Sequence, residues 1–148
     1  MDINIKYKYS RNLIRYGIIL FILGLITGFL IPALENPRMG LSSHLEGTLN
    51  GMLLVIFGVI WVRLNLSDRA QKYAFNLALF GTYINWFTTL MAALWGAGSE
   101  MMPIAGGGLQ GSDIQEILIK IGLISLSIAI LASSGIILYG TRGNEPKY

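Results

Sequence analysis

The sequence predicts an all-α integral membrane protein, a bundle of four transmembrane helices with both termini in the cytoplasm. Three observations lead to this fold class. Hydrophobic residues make up 53% of the 148 positions and charged residues only 13%, whereas about 25% is typical of soluble domains. Long uncharged stretches alternate with short charged ones, and lysine and arginine gather beside alternate connections. The length fits one membrane domain over residues 1–148.

Four uncharged stretches supply the predicted spans. Each is interpreted as a helix, because the bilayer core contains no water to pair with backbone N–H and C=O groups and a helix pairs them within the segment. A helix crosses the hydrocarbon core with roughly 20 residues. The second stretch is the shortest, and it reaches that length only if its helix begins near Ser43 and includes His44 and Glu46. The predicted spans cover residues 14–34, 43–65, 73–96 and 114–139.

The orientation follows from the basic residues. Nine of the eleven lysines and arginines lie in the N-terminal segment, the connection between spans two and three, and the C-terminal tail. Arg38 and Lys120 lie beside the other two connections. By the positive-inside rule, both termini face the cytoplasm, and we expect a multi-pass protein of the cytoplasmic (inner) membrane. Membrane orientation also accounts for the pI of 9.3, so no nucleic-acid partner is expected.

Both connections on the outer side carry helix-capping patterns. Ser42 or Ser43 is the predicted N-cap of the second helix, with Glu46 following Ser43 by three residues as in a capping box. Ser112 or Asp113 is the predicted N-cap of the fourth helix.

Motifs of soluble enzymes are absent from the sequence. It has no Walker, Rossmann, HExxH or GxSxG pattern. With one histidine and no cysteine, a zinc site within one chain is not expected. The chemistry is therefore sought among polar residues inside the apolar spans, which are costly in a bilayer and indicate function.

The second helix carries two polar faces. At 100° per residue, His44 lies on one face, and Glu46 and Asn50 lie on another. By helix rise, Asn50 lies roughly 10 Å inside the outer end of this helix, and Tyr83 and Asn85 lie about 14–17 Å inside the third. These depths predict that Asn50, Tyr83 and Asn85 line one pocket.

Structural interpretations of the same residues stay open at this point. A single histidine near a helix end is more often interfacial than a metal ligand. Asn50 and Asn85 are also consistent with hydrogen bonds between helices, and the mid-span Trp86 with either a pocket wall or packing. The residues alone therefore lead to a four-helix membrane protein with a polar pocket, and no further.

Residues 36–51 carry a longer pattern, Asn-Pro-Arg-Met-Gly-Leu-Ser-Ser-His-Leu-Glu-Gly-Thr-Leu-Asn-Gly. This string resembles the signature of the styrene oxide isomerases and the related hydroxylaminobenzene mutases. Gly-Thr-Tyr-Ile-Asn-Trp at 81–86 and Trp-Gly-Ala-Gly at 95–98 resemble their third helix, and Met-Met-Pro-Ile-Ala at 101–105 resembles the following loop. The resemblance runs in order over residues 36–135.

The isomerase resemblance implies a homotrimer of four-helix subunits with b-type haem at the subunit boundaries. His44 matches the axial iron ligand, a usual role for imidazole. The implied reaction converts an aryl epoxide (styrene oxide) to an aldehyde (phenylacetaldehyde), with ferric haem as a Lewis acid. Asn50 and Tyr83 match the family's catalytic polar residues, and Asn85 and Trp86 are interpreted as parts of the substrate pocket.

Two other functions remain open from the sequence. A mutase would move a hydroxyl group from the nitrogen of an arylhydroxylamine to its ring, giving an aminophenol without net redox change. A haem-binding electron carrier or small-molecule channel would have no chemistry of its own. A carrier usually ligates its iron on both faces, which one histidine per chain allows only across a subunit boundary.

Overall fold

The computed structural model describes the backbone of residues 3–142 and the side chains of residues 4–142. Within this part of the chain, every regular element is helical. The one-turn helix α4 lies in the connection before the last long helix. The elements are α1 (Ile3–Leu30), α2 (Pro37–Ile60), α3 (Asp68–Trp95), α4 (Pro103–Gly106) and α5 (Asp113–Gly140).

The prediction of four membrane-spanning helices is confirmed, because α1, α2, α3 and α5 are each long and apolar enough to cross a bilayer. The helices extend beyond the uncharged stretches that predict them. At the start of α1, for example, Lys6 and Arg11 lie within the helix. Charged side chains at a helix end can reach the water interface, so a change in charge does not end the helix.

The start of α2 differs from the predicted one. The Asn36 side chain is the N-cap and accepts a hydrogen bond from the Met39 amide at 3.1 Å. Pro37 occupies the first helical position, where its missing N–H costs nothing. The predicted cap at Ser42 or Ser43 is therefore wrong, since both serines lie inside the helix.

The predicted cap of the last helix is confirmed. Ser112 is the N-cap of α5 and accepts from the Gln115 amide, while the Gln115 side chain accepts from the Ser112 amide. This reciprocal pair is a capping box.

The long helices pack in chain order, α1 on α2, α2 on α3 and α3 on α5. Among the described residues the backbone of α5 approaches neither α1 nor α2. Since α1 also contacts α3, the first three long helices pack against one another and α5 lies on the outside of α3. The side of α2 that faces away from α1 is only partly covered.

The two ends of the bundle hold different connections. At one end, the Lys6 ammonium donates to the Leu64 carbonyl at 2.6 Å, and the Asn65 amide donates to the Gly140 carbonyl at 2.7 Å. At the other end, the Asn36 amide donates to the Ala93 carbonyl at 3.0 Å. The N-terminal segment, the α2–α3 connection and the end of α5 therefore share one end. That this end faces the cytoplasm stays a prediction.

Candidate functional site

A cavity of about 680 Å³ opens between α2, α3, α5 and the connection that contains α4. Its wall on the α4 side is apolar and runs over residues 101–105. Leu123 of α5 adds to this apolar lining. A mainly apolar cavity with a few grouped polar side chains is the usual form of a small-molecule site. The polar side chains here belong to Arg38, Ser42, Glu46, Asn85 and Thr89.

Glu46 is the centre of the polar group. Its Oε2 atom accepts a hydrogen bond from Asn50 Nδ2 at 3.0 Å and another from Asn85 Nδ2 at 2.6 Å. Asn50 lies one turn further along α2, and Asn85 comes from α3. The carboxylate therefore joins the two helices beside the cavity.

The second carboxylate oxygen, Oε1, accepts no hydrogen bond from the described residues, and it is not enclosed by the protein. No lysine or arginine of the described chain forms an ion pair with Glu46. A carboxylate within a membrane span is costly unless it is paired or serves a function. The Asn50 and Asn85 amides both donate to Oε2, and Oε1 stays accessible. Glu46 can therefore accept a further hydrogen bond at Oε1.

His44 lies on a different side of α2 and faces α1. Its Nδ1 atom is 2.8 Å from the Gly24 carbonyl oxygen. Since a carbonyl only accepts, Nδ1 carries the hydrogen and Nε2 is the acceptor nitrogen. Such a backbone contact fixes the ring orientation, as it does for metal-ligating histidines.

An apolar groove of about 360 Å³ adjoins the His44 ring. Gly28 borders both the groove and the ring, and a Cβ atom on Gly28 would lie 2.8 Å from His44 Nδ1. The missing side chain therefore makes room for the imidazole. Leu41 lines both this groove and the cavity of Glu46, but the two polar groups face opposite neighbours.

Tyr83 does not join Asn50 and Asn85. Its hydroxyl donates to the Tyr16 carbonyl of α1 at 2.9 Å, and its ring lines a separate groove between α1 and α3. Within a single chain, the interpretation that Asn50, Tyr83 and Asn85 line one pocket is therefore wrong. Asn85 lines the Glu46 cavity, whereas Asn50 is buried and is linked to it through its hydrogen bond to Glu46. Equal depth in the membrane does not place residues on the same face of a helix.

Trp86 lies between helices and not in the lining of the Glu46 cavity. Its Nε1 donates to the Thr27 hydroxyl of α1 at 3.0 Å. Its backbone carbonyl accepts from the Ser43 hydroxyl at 3.2 Å. The described contacts thus serve helix packing, and a role in substrate binding stays a prediction.

The chain matches the family model for styrene oxide isomerase over residues 9–142. It belongs to the styrene oxide isomerase family. Hydroxylaminobenzene mutase HabB of Ectopseudomonas oleovorans is 54% identical over 133 residues, which cover 90% of this chain and 81% of HabB. Hydroxylaminobenzene mutase HabA of the same organism is 45% identical over 124 residues, covering 84% and 92%. No solved structure matches the chain significantly.

These similarities establish the general type of activity for this member of the styrene oxide isomerase family. The family model is that of an isomerase, and both relatives are named mutases. The chain is therefore an enzyme of the isomerase or mutase type in a multi-pass membrane fold.

Glu46 was predicted to share a polar face with Asn50 and also to complete a capping box, but its position at the centre of the polar group was not predicted. Two signals in the sequence indicated this position. A carboxylate lay inside an otherwise apolar span, and Asn50 followed it at the i,i+4 spacing that places two side chains together on a helix. The contact with Asn85 joins residues 39 positions apart, and sequence spacing does not show it.

The connection between α3 and α5, which supplies the apolar wall of the cavity, is held in place by two buried polar side chains. Glu116 Oε1 accepts from the Gly98 amide at 2.9 Å and from the Gly111 amide at 3.0 Å. Asn36 Nδ2 donates to the carbonyls of Ala105 and Gly106 at 3.1 and 3.0 Å. Hydrogen bonds to a carboxylate are stronger than neutral ones. The apolar wall of the cavity is thereby fixed at both its ends.

Proposed function

We propose that this enzyme is a hydroxylaminobenzene mutase, which moves the hydroxyl group of an arylhydroxylamine from nitrogen to the ring and forms an aminophenol. The proposal is supported by the polar group of Glu46, Asn50 and Asn85 beside a mainly apolar cavity. An arylhydroxylamine pairs an apolar ring with adjacent N–H and O–H donors, which complement the apolar wall and the accessible carboxylate oxygen. Two relatives that carry this name over most of the chain give independent support.

The chain's own residues have separable tasks in this proposal. Asn50 and Asn85 hold the Glu46 carboxylate in one orientation, so that it need not reorganise when substrate binds. Met101, Met102 and the other apolar wall residues exclude water. Exclusion matters because the rearrangement passes through an electron-poor ring that water would trap.

We also propose ferric haem b as the cofactor and His44 as its ligand. The support is the fixed imidazole, whose Nδ1 donates to the Gly24 carbonyl and whose ring lines an apolar groove, with Nε2 free of any hydrogen bond to the described residues. A haem bound there supplies a Lewis-acidic iron for the oxygen of the substrate. In this arrangement Gly28 leaves room for the ring, and the Gly24 carbonyl strengthens its basicity.

A homotrimer is the assembly that we propose for this site. In one chain, His44 faces α1 while Glu46 faces α3, so a single bound molecule does not reach both from the same side. Because α5 does not pack on α2, the described residues of one chain leave the cavity between these helices open on one side. A neighbouring copy that covers this side would complete the site. We place the trimer in the cytoplasmic membrane with cytoplasmic termini, on the asymmetry of nine basic residues to two.

Conversion of an aryl epoxide to an aldehyde is the second candidate, favoured by the family model itself. For styrene oxide, the bond between the epoxide oxygen and the benzylic carbon breaks. A hydride then moves from the terminal carbon to the benzylic carbon, and the aldehyde forms. It shares with the mutase reaction an aromatic substrate, a rearrangement without net redox change, and the need to exclude water.

Product analysis distinguishes the two candidates. Purified protein from haem-replete cells is incubated separately with hydroxylaminobenzene and with styrene oxide, and the products are identified by chromatography with mass detection. We expect an aminophenol whose oxygen comes from the substrate and not from ¹⁸O-labelled water. Phenylacetaldehyde without any aminophenol would instead assign the protein to the epoxide reaction, and inactivity on both substrates would reject both candidates.

A further inference from the structure

We infer that Glu46 is the catalytic base of the rearrangement, which takes a proton from the ring carbon that receives the hydroxyl group and returns it to nitrogen. This inference rests on the proposed mutase function. It concerns one residue of the same site and names the step that the residue performs.

The position of Glu46 suits a proton acceptor. It lies nine residues after Pro37, the first residue of α2, which is about 14 Å along the helix axis at the helical rise. Oε2 is held by Asn50 and Asn85, while the partly buried Glu46 side chain lines the cavity and its Oε1 accepts no hydrogen bond from the described residues. A carboxylate fixed by one oxygen leaves the other in a defined place for proton transfer.

No other described residue of the cavity can take this role as readily. The remaining polar lining consists of a guanidinium, two hydroxyls and an amide, on Arg38, Ser42, Thr89 and Asn85. A guanidinium is already protonated and has no acceptor site for a further proton, and neither hydroxyls nor amides are bases near neutral pH. His44 faces the opposite neighbour and binds the Gly24 carbonyl.

The chemistry of the mutase reaction needs such a base. The N–O bond breaks with its electron pair on oxygen, and a C–O bond forms at a ring carbon. That carbon then carries both hydrogen and hydroxyl, while the nitrogen has become an imine. To restore the aromatic ring, the C–H bond breaks, the proton passes to Glu46, and the imine nitrogen receives a proton. One proton leaves carbon and one reaches nitrogen, so no oxidant or reductant is required.

The epoxide reaction makes no such demand. An epoxide oxygen accepts hydrogen bonds but donates none, and the migrating hydrogen moves directly between two carbons with its electron pair. A cavity carboxylate has no proton to accept in that sequence. Glu46 therefore separates the two candidate reactions on the basis of their proton requirements.

Glu46→Gln tests the inference, because glutamine keeps the size of the side chain and an oxygen for Asn50 and Asn85 but is not a base. We expect kcat for hydroxylaminobenzene to fall by about 10²–10⁴-fold, the usual contribution of a positioned acid–base group. The haem absorption and the oligomer on size exclusion should not change. With ring-deuterated substrate, the primary isotope effect on kcat should rise in the variant, because C–H cleavage becomes slowest.

The matched control is Glu35→Gln, a substitution of an exposed carboxylate at the same end of the molecule that does not line the cavity. It should leave kcat and the isotope effect unchanged. Glu46→Asp keeps a carboxylate and should retain more activity than Glu46→Gln, which excludes general damage to the fold as the cause.

The failures of the two proposals are distinguishable. Wild-type protein that forms no aminophenol contradicts the mutase function. Wild-type protein that forms it, with Glu46→Gln retaining kcat within threefold and an unchanged isotope effect, overturns the role of Glu46 alone. Equal losses in Glu46→Gln and Glu46→Asp, without a rise in the isotope effect, would also overturn it and assign Glu46 to structure.

Discussion

The two sides of α2 differ in how closely neighbouring residues pack against them. On the side facing α1, glycines bring the two backbones together. A Cβ atom on Gly24 would lie 2.5 Å from the Thr48 amide nitrogen, and one on Gly51 would lie 2.6 Å from the Phe21 amide nitrogen. On the side facing α3, Glu46 and Asn85 border open space. One side of α2 is therefore closely packed against a neighbouring backbone, and the other side presents polar groups to a cavity.

Residues on the two sides of α2 therefore have different roles. Lipid gives helices no hydrophobic reason to associate, so close backbone packing must hold α1 and α2 together. His44 lies on the closely packed side of α2, and its hydrogen bond to the Gly24 carbonyl fixes the orientation of its ring. Glu46 emerges from the open side, where a bound molecule can reach it. Substitutions on the two sides should therefore produce different losses.

The largest effect is expected from Gly24→Val. The added side chain would overlap the backbone of α2 near Gly47 and Thr48, which has no flexible group to move. Overpacking of this kind costs about 1–3 kcal/mol or more, and contact with backbone lies at the upper end. We expect loss of the folded oligomer, measured by thermal denaturation and size exclusion in detergent.

Gly135→Val is the matched control, since a Cβ atom there meets no heavy atom within 4 Å. It should leave the melting temperature nearly unchanged. If both variants behave alike, close packing of α1 on α2 is not what holds the fold.

The next effect is expected from His44→Ala, which removes the proposed iron ligand together with its hydrogen bond to the Gly24 carbonyl. We expect the Soret absorption and mutase activity to be lost from a protein that still elutes as the wild-type oligomer. Gly28→Ala should weaken haem binding by about 10–100-fold, as disturbed ligand support does, because its Cβ atom would lie 2.8 Å from His44 Nδ1. Full haem content in His44→Ala would exclude this histidine as the ligand.

The smallest effect is expected from Tyr83→Phe. In this chain the hydroxyl donates to the Tyr16 carbonyl, outside both the Glu46 cavity and the His44 groove. Its removal should cost about 0.6 kcal/mol, an average interhelical hydrogen bond, and change turnover less than threefold. A turnover loss of about 10²–10³-fold with normal stability would show instead that the hydroxyl stabilises developing charge, as the family resemblance implies.

The capping residues illustrate the limit of local patterns. Ser112 and Gln115 were predictable because a capping box uses only neighbouring residues. The start of α2 was misplaced because Ser43 and Glu46 fit the same pattern in sequence, whereas Asn36 followed by Pro37 forms the real cap. Two local signals competed, and the resulting helix is longer than the uncharged stretch indicated.

The membrane class, the four spanning helices and the two polar faces of the second helix are predictable from the residues alone, because hydropathy and helical periodicity are local properties of the chain. Which helix each face meets became clear from the packing of the helices. It placed His44 against Gly24, joined Glu46 to Asn85, and turned the Tyr83 hydroxyl to Tyr16. Depth along a span follows from counting residues, but the rotation of one helix against another depends on contacts between distant segments.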